Sequence, residues 1–144
     1  AERSGATAGH MLRVLVVEDD PVVAESLVVL LQLEGYQVRS AAAAEAALEL
    51  LTEFRPQVAL VDIGLPGLDG YALAERIRLR EDCADLKLVA LSGYGHEEAV
   101  QRSFKAGFER HLVKPVDPEV LCSLLAEIGS VATRPGVGQV SGGD

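Results

Sequence analysis

The feature that most constrains this chain is a series of short apolar runs, each followed by a stretch of helical periodicity. Leu12–Val17, Val58–Val61 and Leu86–Leu91 are almost uninterrupted aliphatic runs of strand length. A strand that is apolar at every position must be buried on both faces, as a central strand of a parallel sheet is. Tyr36–Ser40 and His111–Val113 are predicted as two further strands. Between these runs the apolar period changes to that of a helix. Asp20-Pro21 supplies an N-cap and a first-turn proline. Val23, Leu27, Leu30 and Leu31 then form one face, which Gly35 is placed to end. Ala43–Phe54 is predicted as a helix with Ala47, Leu48, Leu51 and Phe54 facing inward. Gly70–Leu79 uses Leu73 and Ile77, and His96–Ala106 uses Val100 and Phe104. Asp117-Pro118 repeats the Asp-Pro start, and Leu121, Leu124, Leu125 and Ile128 form a face that Gly129 is placed to terminate. Strands and helices in this alternation predict an α/β fold, a five-stranded parallel sheet doubly wound as (βα)5. Sheets of this kind bind ligands at the carboxyl ends of their strands, near the switch point in strand order.

The chain's 144 residues suit one domain with a proper core. Residues 1–11 read as a disordered segment or tag, with Gly9-His10-Met11 as a cloning remnant or a native linker. Residues 130–144 read as a flexible tail, so the folded unit is expected over about 12–129, and no attached output domain is expected. A net charge of −9 argues against nucleic acid as a partner of this segment. No apolar run is long enough to cross a bilayer, and no secretory signal is evident, so a cytoplasmic location away from membranes is expected. Cys122 falls in a helix and Cys83 in a polar loop, without a CxxC spacing, so both are expected to be reduced thiols.

The carboxyl ends of the predicted strands carry the chemistry. Glu18-Asp19-Asp20 follows the first strand, Asp62 ends the third, Ser92 ends the fourth and Lys114-Pro115 follows the fifth. Asp20 before Pro21 is read mainly as a helix cap. Glu18 and Asp19 beside Asp62 would repel one another unless a cation sat among them. Magnesium accepts a few carboxylates and a carbonyl and keeps several waters. Asp19 is assigned as a direct ligand and Glu18 as a ligand through water. Asp62 is assigned as a nucleophile, because a carboxylate can attack phosphorus to form an aspartyl phosphate. Lys114 can pair with Asp62 or with phosphoryl oxygens. Ser92 could bind a phosphoryl oxygen, but a serine in a turn before a helix is equally common, and the local pattern does not separate the two readings.

In Val16-Val17-Glu18-Asp19-Asp20-Pro21, Asp62-Ile63-Gly64-Leu65-Pro66-Gly67-Leu68-Asp69-Gly70, Leu91-Ser92-Gly93 and Lys114-Pro115 the chain resembles the receiver domain of a two-component response regulator. The motifs keep the family's order and spacing over about residues 12–129. The stretch Phe108-Glu109-Arg110-His111-Leu112-Val113-Lys114-Pro115-Val116-Asp117 is also similar to receivers attached to hybrid sensor kinases. The resemblance implies the flavodoxin-like strand order 2-1-3-4-5. It implies that Asp62 accepts a phosphoryl group from a histidine kinase or a histidine phosphotransfer protein. It implies that Glu18, Asp19, Asp62 and the backbone carbonyl of Gly64 hold Mg2+, that Ser92 and Lys114 bind phosphoryl oxygens, and that the Lys114–Pro115 bond is cis. The expected role is that of a signalling switch in a phosphorelay, an enzyme only toward its own phosphorylation and dephosphorylation. The chain is either a single-domain regulator or part of a hybrid histidine kinase. Self-association, weak or dependent on phosphorylation, stays open.

Two features depart from the commonest receiver pattern. His111 stands where many receivers carry a Tyr or Phe that moves inward on activation; it is either a switch residue or a half-exposed strand residue with no such role. Gly64 and Tyr94 occupy positions whose side chains influence acyl-phosphate hydrolysis in the family, and Tyr94 is expected to prolong the phosphorylated lifetime. On the first helix, Val22, Val29 and Leu33 are expected to widen the core contact, with a docking surface for a kinase or phosphotransfer helix as the alternative. Three other functions fit the residues less well. A magnesium-dependent phosphohydrolase with an aspartate nucleophile typically needs a second Asp two positions on, where this chain has Gly64. A flavin- or nucleotide-binding domain needs a Gly-rich phosphate loop after the first strand, where this chain has acids. A degenerate receiver used only for protein contacts would not need the complete set of acids, hydroxyl and lysine.

Overall fold

The structure, a computed structural model, describes residues 12–93 and 95–132, the last three by backbone alone. The expected leading segment, Tyr94 and most of the expected tail lie outside the described residues. The elements are β1 (Arg13–Val17), α1 (Pro21–Leu33), β2 (Gln37–Ala41), α2 (Ala44–Glu53), β3 (Val58–Asp62), α3 (Gly70–Arg78), a 3-10 turn (Glu81–Cys83), β4 (Lys87–Ser92), α4 (Glu97–Ala106), β5 (Arg110–Val113) and α5 (Pro118–Ala132).

The strands form one five-stranded parallel sheet in the order β2-β1-β3-β4-β5, as the resemblance implied. The three most apolar runs, β1, β3 and β4, are central, and β2 and β5 are the edges. Alternate side chains feed two cores. Leu15, Val17, Ala59, Val61, Leu88 and Ala90 pack with Ala47 and Leu51 of α2 and Leu73 and Ile77 of α3. Val14, Val16, Val58, Leu60, Val89 and Leu91 pack with Leu27 and Leu31 of α1 and Leu121 and Leu125 of α5. Burying each such Leu or Val stabilises the fold by roughly 1.5–3 kcal/mol relative to exposure.

The Asp20 cap follows the predicted chemistry, and Asp69 supplies a second cap that was not predicted. Asp20 Oδ1 accepts the Val22 and Val23 N–H groups at 2.9 and 3.3 Å with Pro21 in the first turn. Asp69 Oδ1 accepts Ala72 N–H at 2.9 Å to start α3. Gly35, after α1, adopts φ 99°, which a residue with a Cβ would resist.

Several expectations are corrected. On α4, Phe104 is 50 % exposed, and Ala99, Ser103 and Ala106 face the core instead. The apolar pair Val100 and Phe104 marked a stripe of the helix, but the small side chains beside it are those that let the helix lie close to the sheet. On α1, Val22 and Leu33 are 72 % and 80 % exposed and Val29 is also exposed, so they do not widen the core contact. In α2, Leu48 packs partly buried against the core as expected, and Leu50, which was not expected there, is buried as well. β2 begins at Gln37, one residue later than expected, while Tyr36 is buried just before it. Cys83 is buried in the 3-10 turn rather than in an open polar loop. Gly129 does not end α5, which continues to Ala132. A glycine inside a helix costs only about 1 kcal/mol relative to alanine, and at Gly129 a Cβ would lie 3.7 Å from Leu12 Cδ2, ordinary contact.

Candidate functional site

Parallel winding brings the ends of β1, β3, β4 and β5 to one edge of the sheet. Glu18 follows β1, and its backbone N–H donates to Ala41 O at 3.0 Å, which fixes the start of the loop. The Glu18 side chain turns inward, and the residue is only 2 % exposed. Its Oε2 accepts Asp20 N–H at 3.1 Å, and its Oε1 accepts Lys114 Nζ at 2.9 Å. Asp62, the last residue of β3, is also buried. Its Oδ1 lies 3.2 Å from Lys114 Nζ and accepts Gly64 N–H at 3.0 Å. One ammonium therefore bridges two carboxylates that the sequence separates widely. Asp19, the third acid, is exposed.

The electrostatics follow from this burial. Burial pushes the Glu18 carboxyl above the usual range, against the lowering effect of the Lys114 and Asp20 hydrogen bonds, and the Asp62 charge adds to the rise. Burial alone would lower the Lys114 ammonium, but its bonds to Glu18 and Asp62 outweigh that and hold it above the ordinary lysine value.

One carboxylate oxygen from each of Glu18, Asp19 and Asp62 lies within 4.8 Å of the others. Such a set can hold one hard divalent cation, which would offset the repulsion among the three. Ser92, at the end of β4, is buried, and its carbonyl accepts Lys114 N–H at 2.7 Å, which ties the lysine backbone to the serine strand. The Lys114–Pro115 peptide is cis, as the resemblance implied. Of the predicted site residues, Glu18, Asp19, Asp62, Gly64, Ser92 and Lys114 come to one rim. His111 stands apart on β5, where its Nδ1 lies 2.7 Å from Ser103 Oγ.

The loop behind Asp62 is held by a contact that sequence reasoning missed. A Cβ at Gly70 would lie 2.6 Å from Asp62 O and 2.7 Å from Ile63 Cα, so only glycine lets α3 start this close to the end of β3. Gly70 N–H also donates to Ile63 O at 3.1 Å. The missed arginine is Arg78. Its Nε and Nη2 donate to Gly107 O at 3.0 and 2.9 Å, and its Nη1 donates to Leu86 O at 2.8 Å. The sequence signal for Gly70 was its place at a helix start; for Arg78 there was none, because its partners are backbone carbonyls.

The family model of the response regulator receiver domain matches residues 14–126. The chain belongs to the response-regulator receiver family. It is 36% identical over 131 residues to the transcriptional regulatory protein CseB of Streptomyces coelicolor, a match covering 91% of this chain and 53% of that protein. It is 30% identical over 105 residues to sporulation initiation phosphotransferase F of Bacillus subtilis, covering 73% of this chain and 83% of that protein. Among solved structures it is similar to the signal receiver domain of a signal transduction histidine kinase from Syntrophus aciditrophicus, at 29% identity and a TM-score of 0.79, covering 86% of this chain and 94% of that one. The chain spans about half the length of the transcriptional regulators it matches. This receiver is a phosphorylation-accepting signalling switch of two-component systems. Receivers interact with histidine kinases or phosphotransfer proteins. No helix among the described residues of this receiver is long and apolar enough to cross a membrane.

Proposed function

We propose that Asp62 is the phosphoryl acceptor of this receiver, fed by a histidine kinase or a histidine phosphotransfer protein. The observation that carries this is the single Lys114 ammonium held 2.9 Å from Glu18 and 3.2 Å from Asp62 at the rim of the sheet. The contacts of the Asp62 carboxylate with Lys114 Nζ and Gly64 N–H fall on Oδ1, so attack by Oδ2 would leave them in place. A bond forms from Oδ2 to phosphorus as the bond from phosphorus to the donor histidine nitrogen breaks. That nitrogen leaves with the electron pair. Lys114 and Ser92 are then placed to bind the transferred oxygens, the lysine by charge and the serine by its hydroxyl.

The acid set fits Mg2+, and Glu18, Asp19 and Asp62 would hold it together with the backbone carbonyl of Gly64. When bound, the ion offsets negative charge that the phosphoryl group brings to three acids. Asp19, being exposed, suits a direct ligand, whereas Glu18 is already bonded to Lys114 and suits a contact through water. Gly64 bears on the lifetime of the acyl phosphate, because a Cβ there would stand 3.7 Å from Asp62 Oδ1. Position 64 as glycine leaves that side open to water. The two free thiols, Cys83 and Cys122, suit the reducing cytoplasm in which we place the chain.

Intact-mass measurement after incubation with Mg2+ and acetyl phosphate tests the assignment. The wild type should gain one phosphoryl group and Asp62→Asn none. A wild type without added mass, or a variant that gains as much, overturns it.

A further inference from the structure

Among the described residues the buried polar side chains are Glu18, Asp62, Ser92 and Ser103. The first three belong to the rim site. Ser103 does not: it lies in the middle of α4, between the buried Ala99 and Ala106. A buried hydroxyl loses its hydration and must find a partner. Here the partner is the His111 ring on β5, with Ser103 Oγ 2.7 Å from Nδ1. A hydroxyl can donate or accept, so this bond survives in either charge state of the imidazole. It is a positional link rather than a proton-driven one.

The two ends of the link lead back to the rim by short paths. His111 and Lys114 lie on one continuous segment, and Lys114 N–H donates to Ser92 O at 2.7 Å. Ser92 ends β4, and α4 begins five residues later at Glu97. Ser92, α4, Ser103, His111 and Lys114 thus form a closed ring of covalent and hydrogen-bonded connections. A displacement of Ser92 or Lys114 toward a phosphoryl group on Asp62 that shifts α4 against β5 falls on the Ser103–His111 bond.

We propose that Ser103 is a positioning residue of the phosphoryl switch: its bond to His111 holds α4 against β5 in the unphosphorylated chain and opposes phosphorylation. This rests on the assignment of Asp62 as acceptor. A net hydrogen bond of this kind biases the equilibrium by about 2- to 12-fold. The unlatched state is the one that accepts phosphate, so releasing the latch raises its population and the apparent rate by the same factor.

The test follows phosphorylation of the full chain by acetyl phosphate and Mg2+ through intact mass, in wild type, Ser103→Ala, His111→Phe and the double variant. Ser103→Ala should phosphorylate about 2- to 12-fold faster, and should add nothing in the His111→Phe background. Ser103→Thr, which keeps the hydroxyl, should stay nearer the wild-type rate than Ser103→Ala does. An unchanged rate in Ser103→Ala, or an equal change in both backgrounds, overturns the proposal, because a purely space-filling role predicts the latter. A measurement on the wild type alone guards against a variant that fails to fold. The 15N resonance of His111 Nδ1 should move toward its Ser103-free value on phosphorylation, and a resonance that does not move also overturns the latch. A wild type that gains no phosphoryl mass overturns the Asp62 assignment, and the latch with it; one that phosphorylates without these effects overturns the latch alone.

Discussion

Replacing Lys114 with alanine tests the electrostatic core of the site. The substitution leaves Glu18 and Asp62 buried, with carboxylate oxygens within 4.8 Å of one another and no ammonium between them. At an effective dielectric of about 20, two unit charges at that separation repel by about 3.5 kcal/mol. The two lost charge-assisted bonds, at 2.9 and 3.2 Å, contribute roughly 1.5–3 kcal/mol each. Two effects limit the loss: the lysine no longer has to be desolvated, and Glu18 can take up a proton. A net cost of about 3 kcal/mol at neutral pH without divalent cation is expected, or about 10 °C in Tm for a domain of this size. The cost should fall to about half at saturating Mg2+, because the cation supplies positive charge to the same acids.

The pH dependence has a definite sign. Lys114 has a raised folded pKa, so its contribution is present below the ordinary value of 10.5 and is lost as pH rises through the folded value. Glu18 is raised by burial above its usual 4.5, so protonation favours the folded chain. That benefit is full below 4.5 and fades as pH rises through the folded value. In Lys114→Ala the hydrogen bond that lowers Glu18 is gone, and Glu18 should titrate higher still. The stability gap between wild type and variant should therefore be widest near neutrality and narrow toward both acid and alkali. Urea unfolding across pH, with EDTA and with Mg2+, reads this directly. A gap below about 1 kcal/mol, or one unaffected by Mg2+ and pH, refutes the bridging role.

Three further outcomes are expected. Gly70→Ala should cost about 2–3 kcal/mol in chemical denaturation and slow phosphorylation, because its Cβ meets backbone atoms of Asp62 and Ile63 rather than a side chain that can move. Arg78→Met should lower stability by about 2–3 kcal/mol by urea midpoint, and Arg78→Lys should not rescue it, since an ammonium cannot reproduce a fork that reaches Gly107 O and Leu86 O together. Phe104→Ser should cost only about 1 kcal/mol, because half of the side chain is already exposed; a loss of about 3–5 kcal/mol, as for core aromatics, would show that α4 is turned the other way.

Much of the fold was legible because its cues are local. The unbroken aliphatic runs of β1, β3 and β4 required burial on both faces, and the two Asp-Pro pairs marked helix starts by the chemistry of capping. Where two local cues competed, the sequence was ambiguous. Val100 and Phe104 have the spacing of a buried face, yet Ala99, Ser103 and Ala106 take that place, because what faces a close-packed sheet depends on how near the helix approaches. Val22, Val29 and Leu33 likewise carry no mark in the sequence of facing solvent.

The sequence by itself determined which groups could do the chemistry: acids after β1 and at the end of β3, a hydroxyl at the end of β4 and a lysine after β5. Tertiary structure alone decided their distances, because residues far apart in the chain meet only when parallel winding brings the strand ends to one edge. It alone decided that Lys114 bridges Glu18 and Asp62, that Gly70 lies against the Asp62 backbone, and that a buried hydroxyl on α4 faces the His111 ring. The physical reason is the same in each case. The type of a side chain sets what it can bind, but the partner it binds is set by packing between elements, which no local pattern records.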